Sequence, residues 1–128
     1  MESLTTDQYQ IINFYYHLLN TIEDGFDYVN KVSDNLGNTE SDRIFSDILA
    51  AFNQIDSSNS FIIGCFENDK PLSEEVNKFD QVIKALEGLE QHFMNPDKRH
   101  SYIKNQLTPG FIAWKESVQE KLKIYITH

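Results

Sequence analysis

Residues 11–32 read IINFYYHLLNTIEDGFDYVNKV, and how this stretch is read decides the fold. Ile12, Tyr15, Leu19, Ile22, Phe26 and Val29 recur at alternating three- and four-residue steps, the spacing that puts side chains on one face of an α-helix. One residue earlier at each step, Ile11, Phe14, Leu18, Thr21, Gly25, Tyr28 and Val32 repeat the rhythm, and one residue is about 100° around a helix. The apolar sector is therefore wider than a single packing face needs. The remaining chain should close around it. The second stripe then either widens the core, or stays open as a groove or a self-association face on which Gly25 would let another backbone approach closely.

Working outward, Thr5 and Gln8 have the spacing of a capping box, which starts helix 1 and carries it over about 6–35, with Gly37 as a left-handed residue past its end. Asn38-Thr39-Glu40 opens helix 2, about 39–67. Its seam is Phe45, Ile48, Phe52, Ile55, Asn59, Ile62 and Phe66, in a register that runs on through the poor helix formers Asp56 to Ser60. Asn59 is the polar position on that seam. It reads as a satisfied core amide that fixes register, and replacing it with Leu should leave stability level or raised unless it holds a buried partner. Ser73 with Glu74 and Glu75 opens helix 3, about 73–95, with Val76, Phe79, Ile83, Leu86 and Phe93 inward, until Asn95-Pro96 stops it. Asp97 caps helix 4, about 97–127, carrying Ile103, Leu107, Phe111, Trp114, Val118, Leu122 and Tyr125. Thr108-Pro109-Gly110 interrupts it with a kink, or with a restart capped by Thr108. Four amphipathic helices with short turns predict an all-α fold: one domain over 1–128, an antiparallel up-down-up-down four-helix bundle whose last helix is kinked near Pro109.

Composition supports a folded globule. The chain is 40% hydrophobic with nine Phe, six Tyr and one Trp, and five Gly and three Pro leave few breakpoints. The start, Met1 to Asp7, carries no basic or apolar leader pattern, and the longest apolar run, Phe61 to Phe66, is too short to span a bilayer. A single cysteine, Cys65, excludes an internal disulfide and thiolate zinc clusters, and the expectation is a cytoplasmic protein. Residues 1–69 hold twelve acids and two bases, net −10, whereas residues 70–128 hold eight acids and nine bases, net +1. That first half repels nucleic acid and anionic membranes and favours basic protein partners.

Catalytic patterns are weak. No Glu-x-x-His occurs, and His17, His92, His100 and His128 have no helical zinc spacing, so neither metal nor cofactor is expected. Helical pyrophosphohydrolases hold magnesium with acids at i, i+3 and i, i+4; Glu87 and Glu90 fit one such pair, and Glu23, Asp24 and Asp27 form a second acidic cluster, although Asp24 and Asp27 point largely away from the seam. Cys65, among Phe61, Ile62, Ile63 and Phe66, reads as a small buried hydrophobe.

The segments His17 to Tyr28, Ala51 to Ser60 and Phe111 to Lys115 resemble those of a family of small uncharacterised all-helical proteins of Gram-positive bacteria. That resemblance implies a helical fold and carries no assigned activity, so no functional residue transfers. In size, acidity and helical hairpins the chain is also similar to flagellar and other type III export chaperones, which hold amphipathic partner helices; this likeness is one of shape and charge. The functional expectation is a non-enzymatic interaction module that binds a basic or amphipathic-helical protein through Phe14, Leu18, Gly25 and Tyr28, steered by Asp24 and Asp27. Homodimerisation through helix 1 is a further use of the same stripe, and the competing class is the magnesium-dependent hydrolase.

Overall fold

A computed structural model describes residues 4–32 and 39–126. Among the described residues every regular element is helical: α1 Thr6–Val32, α2 Thr39–Cys65, α3 Lys70–Asn77, α4 Phe79–Gly88, α5 Pro96–Tyr102 and α6 Thr108–Ile126. A 3₁₀ turn at Leu89–His92 extends α4, and a π-helical stretch at Ile103–Leu107 joins α5 to α6. The elements form four rods, α1, α2, α3–α4 and α5–α6, packed as a four-helix bundle in which α1 touches α2 and α6, and the third rod touches both α2 and α6. No described helix is long and apolar enough to cross a membrane.

The centre is aromatic, with a ring from each rod. Phe26, Phe52, Phe79 and Phe111 are all essentially inaccessible. Phe52 lies 6.0 Å from Phe26, 5.7 Å from Phe79 and 5.6 Å from Phe111 between ring centres, within the range of favourable ring contacts. Trp114 packs against Phe79 at 4.7 Å. Around this centre Ile12, Tyr15, Leu19, Ile22 and Val29 of α1 and Ile48, Ile55, Ile62 and Phe66 of α2 are buried, as their spacing predicts.

Local chemistry sets the ends. At α1 the capping box forms in both directions: the Gln8 amide donates to Thr5 Oγ1 at 3.1 Å and the Thr5 amide to Gln8 Oε1 at 3.0 Å. The expected end of helix 1 near Asn35, the Gly37 turn and the Asn38 start fall outside the described residues. Helix 2 is continuous through Asp56 to Ser60 and stops at Cys65, two residues before the expected 67.

The third rod corrects the sequence reading in three places. It begins at Lys70, not Ser73, because Asp69 is the cap: its Oδ1 accepts the Leu72 amide at 3.1 Å, and Pro71 occupies the first turn, where a missing N–H costs nothing. It is not one helix. The Trp114 indole donates to the Glu75 carbonyl at 2.8 Å, and the ladder breaks at Lys78 before resuming at Phe79, a side-chain insertion of the kind that interrupts helices. Beyond the break, Phe93 is exposed instead of inward while Leu89 is buried, since the tighter 3₁₀ turn at Leu89–His92 rotates the residues that follow it.

In the fourth rod the cap is Asn95, whose Oδ1 accepts the amides of Asp97 and Lys98 at 3.1 and 3.2 Å, with Pro96 in the first turn; Asp97 is not the cap. The irregularity expected at Pro109 is the π stretch just before it. α-Helix resumes at Thr108, but Thr108 is not a cap: it has helical angles, its amide bonds to the Ile103 carbonyl, and its hydroxyl accepts from Asn30 Nδ2 at 3.0 Å.

Candidate interaction surface

Two kinds of contact hold α1 in place, and together they leave one of its sides open. Towards α6 the contacts are polar and regularly spaced. Gln119 Nε2 donates to the Tyr16 carbonyl and to Asn20 Oδ1, both at 3.0 Å; Lys115 Nζ pairs with Glu23 Oε1 at 3.0 Å; Asn30 donates to Thr108. Towards α2 the contacts are mainly apolar. A Cβ added at Gly25 would sit 3.2 Å from Ile48 and 3.7 Å from Ile44. One buried polar pair crosses the α1–α2 seam: the Tyr15 hydroxyl donates to Asn59 Oδ1 at 2.7 Å, and burial pushes the Tyr15 phenol well above its ordinary range.

The Tyr15–Asn59 and Gly25–Ile48 contacts fix α1 and α2 as an antiparallel hairpin. At one end of its outer side Tyr28 lies within electrostatic reach of Arg43, which pairs with Glu40 and also feels Asp47. Fourteen residues before Tyr28 is Phe14, and eighteen after Arg43 is Phe61. At about 100° per residue both return to nearly the same angular position, so Phe14 and Phe61 share the outer side at the other end. Phe14 is 57% exposed, Phe61 40% and Ile11 41%, with half-buried Leu18 beside them. Between the two ends Thr21 and Gly25 on α1 and Ala50, Ala51, Ser57 and Ser58 on α2 are short, while Gln54, seven residues before Phe61, and Asp47 are exposed on the same side of α2. Taking roughly 200 Å² for a large side chain, Ile11, Phe14 and Phe61 leave about 270 Å² of apolar surface in contact with water, close to the few hundred Å² at which a patch on a monomer is often functional.

The residues nominated from sequence are only partly brought together. Phe14 and Tyr28 are exposed on this strip, and Leu18 lies half-buried at its edge. Gly25 does not offer its backbone to a partner, because Ile44 and Ile48 of α2 already occupy the space beside it. Asp24 and Asp27 are exposed; by helical geometry Asp24 lies about 40° from Tyr28 and about 80° from Phe14, at the strip's margin, whereas Asp27, about 100° and 140° from them, is on another side. The acids sharing the strip's side are Asp7, seven residues before Phe14, and Asp47, fourteen before Phe61. Phe61 was missed because the run Phe61 to Phe66 reads as core from either period. The signal that finds it is its phase, since it falls one residue before the seam position Ile62.

The remaining carboxylates do not gather. Glu23 is paired with Lys115, whereas Asp24, Asp27, Glu87 and Glu90 are exposed. Among the described residues no three or more His, Cys, Asp or Glu side chains are grouped to hold a metal ion. Cys65 is partly buried in a cleft of about 500 Å³ with Leu4, Phe66, Asp69 and Tyr125, and burial raises its thiol above the ordinary range against a smaller opposing effect from Gln8. In the same cleft the Tyr125 hydroxyl donates to Asp69 Oδ2 at 2.7 Å, and its phenol is pushed up to about 12, first by burial and then by Asp69. A second exposed pair, Phe93 and Met94, stands at the turn between α4 and α5. The Arg99 guanidinium lies over the Phe93 ring, 5.2 Å from its centre.

Fold and surface together define a small acidic four-helix bundle with an open apolar strip along its first hairpin. The chain belongs to the family described as a domain of unknown function (DUF8042), which matches residues 10–117. It is 30% identical over 121 residues to the uncharacterized protein YvzG of Bacillus subtilis (strain 168), spanning 94% of this chain and 95% of that relative. No solved structure matches the chain.

Proposed function

We propose that the protein is a non-enzymatic, cytoplasmic interaction module that docks another protein on the outer side of the α1–α2 hairpin. The observation that carries this reading is the exposure of Ile11, Phe14 and Phe61 on one side of two helices whose seam residues, Ile12, Tyr15, Leu19, Ile22, Phe26 and Val29 on α1 and Ile48, Phe52, Ile55, Ile62 and Phe66 on α2, are buried inside. Large side chains held open to water on one side of a packed hairpin supply apolar contact area, and Asp7 and Asp47 on the same side supply attraction for a basic surface. The hydrolase reading needs Glu23, Asp24, Asp27, Glu87 and Glu90 to converge. The engagement of Glu23 with Lys115 and the dispersal of the others favour binding over that chemistry.

The test is affinity capture from extract of the native cell, with the wild-type chain and a Phe14→Ser/Phe61→Ser variant in parallel. A specific partner retained by the first and lost by the second supports the proposal; retention by both overturns it. For a partner drawn by the acidic hairpin, association should slow as salt rises to physiological strength, where the screening length falls to about 8 Å, while dissociation changes less.

A further inference from the structure

We infer that the occupant of the strip is a basic amphipathic α-helix lying lengthwise along the outer side of α1 and α2. This rests on the reading that the strip is a docking surface, and adds the kind of segment that docks. The first argument is backbone chemistry. Phe14, Thr21, Tyr28, Ala50 and Phe61 all lie inside helices whose N–H and C=O groups bond within their own ladders, so the strip has no unpaired edge to offer a strand. An extended segment laid on it would lose water from its own amides without gaining partners, whereas a helix arrives with its backbone already satisfied.

The second argument is shape. Phe14 and Phe61 stand at one end and Tyr28 at the other; along α1 the residues between them, Thr21 and Gly25, are short, so a rod can lie against α1 between these ends, while exposed Gln54 and Asp47 on α2 offer polar contacts to its flank. The fourteen residues from Phe14 to Tyr28 span about 21 Å at 1.5 Å per residue, which a helix of about four turns covers.

The third argument is charge. Residues 1–69 carry net −10, and on the strip's own side Arg43 is held by Glu40 while Asp7 and Asp47 are exposed. Lys or Arg flanking the apolar face of the incoming helix complements this. A second copy of the chain is the poorer occupant, because its matching face would bring one acidic hairpin, net −7 over residues 6–65, against another.

The experiment titrates the full chain with four labelled 18-residue peptides, read by fluorescence anisotropy and by peptide helicity. They are Leu and Lys in amphipathic helical order, the same composition scrambled, the ordered peptide with two central prolines, and the ordered peptide with Glu for Lys. The ordered Leu/Lys peptide is expected to bind at least tenfold more tightly than the other three and to gain helicity. Phe14→Ser and Phe61→Ser should each weaken it at least fivefold, and Phe93→Ser should leave it unchanged. The proline peptide binding as tightly as the ordered one would overturn the inference. So would a stable dimer, in sedimentation, that Phe61→Ser dissolves. If no peptide binds but capture of a cellular partner still requires Phe14 and Phe61, the helical occupant falls and the docking surface stands; if capture is indifferent to both residues, both fall.

Discussion

Replacing Asn59 with Leu removes the acceptor for a Tyr15 hydroxyl that is sealed between α1 and α2, with Tyr15 1% and Asn59 8% exposed. The substitution keeps the number and branching of the side-chain heavy atoms, so the balance lies chiefly between a stranded hydroxyl, about 1–3 kcal/mol, and the apolar gain of a leucine, at most about 1 kcal/mol at ~25 cal/mol/Å², with the bulkier methyl groups adding to the loss. A net loss of about 1–2 kcal/mol follows. For 128 residues the unfolding entropy is roughly 0.27 kcal/mol per kelvin at ~2.1 cal/mol/K per residue, so Tm should fall by about 4–7 °C. Because Asn59 holds a buried partner, the seam position is one where a hydrophobic replacement destabilises. Calorimetry or circular-dichroism melts of Asn59→Leu, Tyr15→Phe and the double variant close the cycle. The double variant leaves neither group unpaired and should return to within about 0.5 kcal/mol of wild type. If Asn59→Leu melts at or above wild type, or if the double loss equals the sum of the singles, the pair is not coupled and the reasoning fails.

Three other outcomes follow from contacts of the same kind. The Tyr125 phenol is raised from its unfolded value of 10.0 to about 12, so the stability it contributes is fully present below pH 10 and lost as pH rises through about 12; Tyr125→Phe should flatten the alkaline limb of a stability-against-pH curve. Gly88→Ala would press a methyl group into the Tyr102 hydroxyl, which donates to the Ala85 carbonyl at 2.6 Å; it should cost about 1–3 kcal/mol in denaturant melts, with part recovered in Gly88→Ala/Tyr102→Phe. Glu23→Ala leaves the buried Lys115 ammonium without its counter-charge and should lower Tm clearly, whereas Asp24→Ala and Asp27→Ala, both exposed, should each stay within about 0.5 kcal/mol of wild type in the same melts.

The parts of the fold that were legible in the sequence are those set by period and local capping. The seams of α1 and α2 emerged because a three-four rhythm held over many turns has one helical explanation, and Thr5 with Gln8 is a pattern whose two bonds are local. Where two neighbouring residues could both cap, the pattern favoured the later one, Ser73 and Asp97, and the structure uses the earlier. Asp69 and Ser73 both precede plausible first turns, as do Asn95 and Asp97, and the prolines at 71 and 96 fit the structure's choice because each sits in a first turn. The break at Lys78 was invisible because its cause, the Trp114 indole, is 36 residues away in the chain. That insertion and the 3₁₀ turn carry the third rod out of a single helical phase, which is why Phe93 was placed inward. Lys115 and Gln119 lie beside the seam of α6 and read as surface. Only the docked α1 supplies Glu23, Asn20 and the Tyr16 carbonyl that make their burial tolerable. The candidate surface was half legible: Phe14 and Tyr28 came from the second stripe, while Phe61 needed the phase of α2 against α1.

Docking on the α1–α2 strip is tested most directly by the affinity of a captured partner for the wild-type chain against Phe14→Ala/Phe61→Ala, measured by surface plasmon resonance with melts of both proteins alongside. Both side chains are substantially exposed, so Tm should move by no more than about 2–4 °C, and dissociation should quicken at least tenfold with association little changed. An unchanged dissociation rate, with or without a fall in Tm, would contradict the account and place the binding surface elsewhere on the bundle.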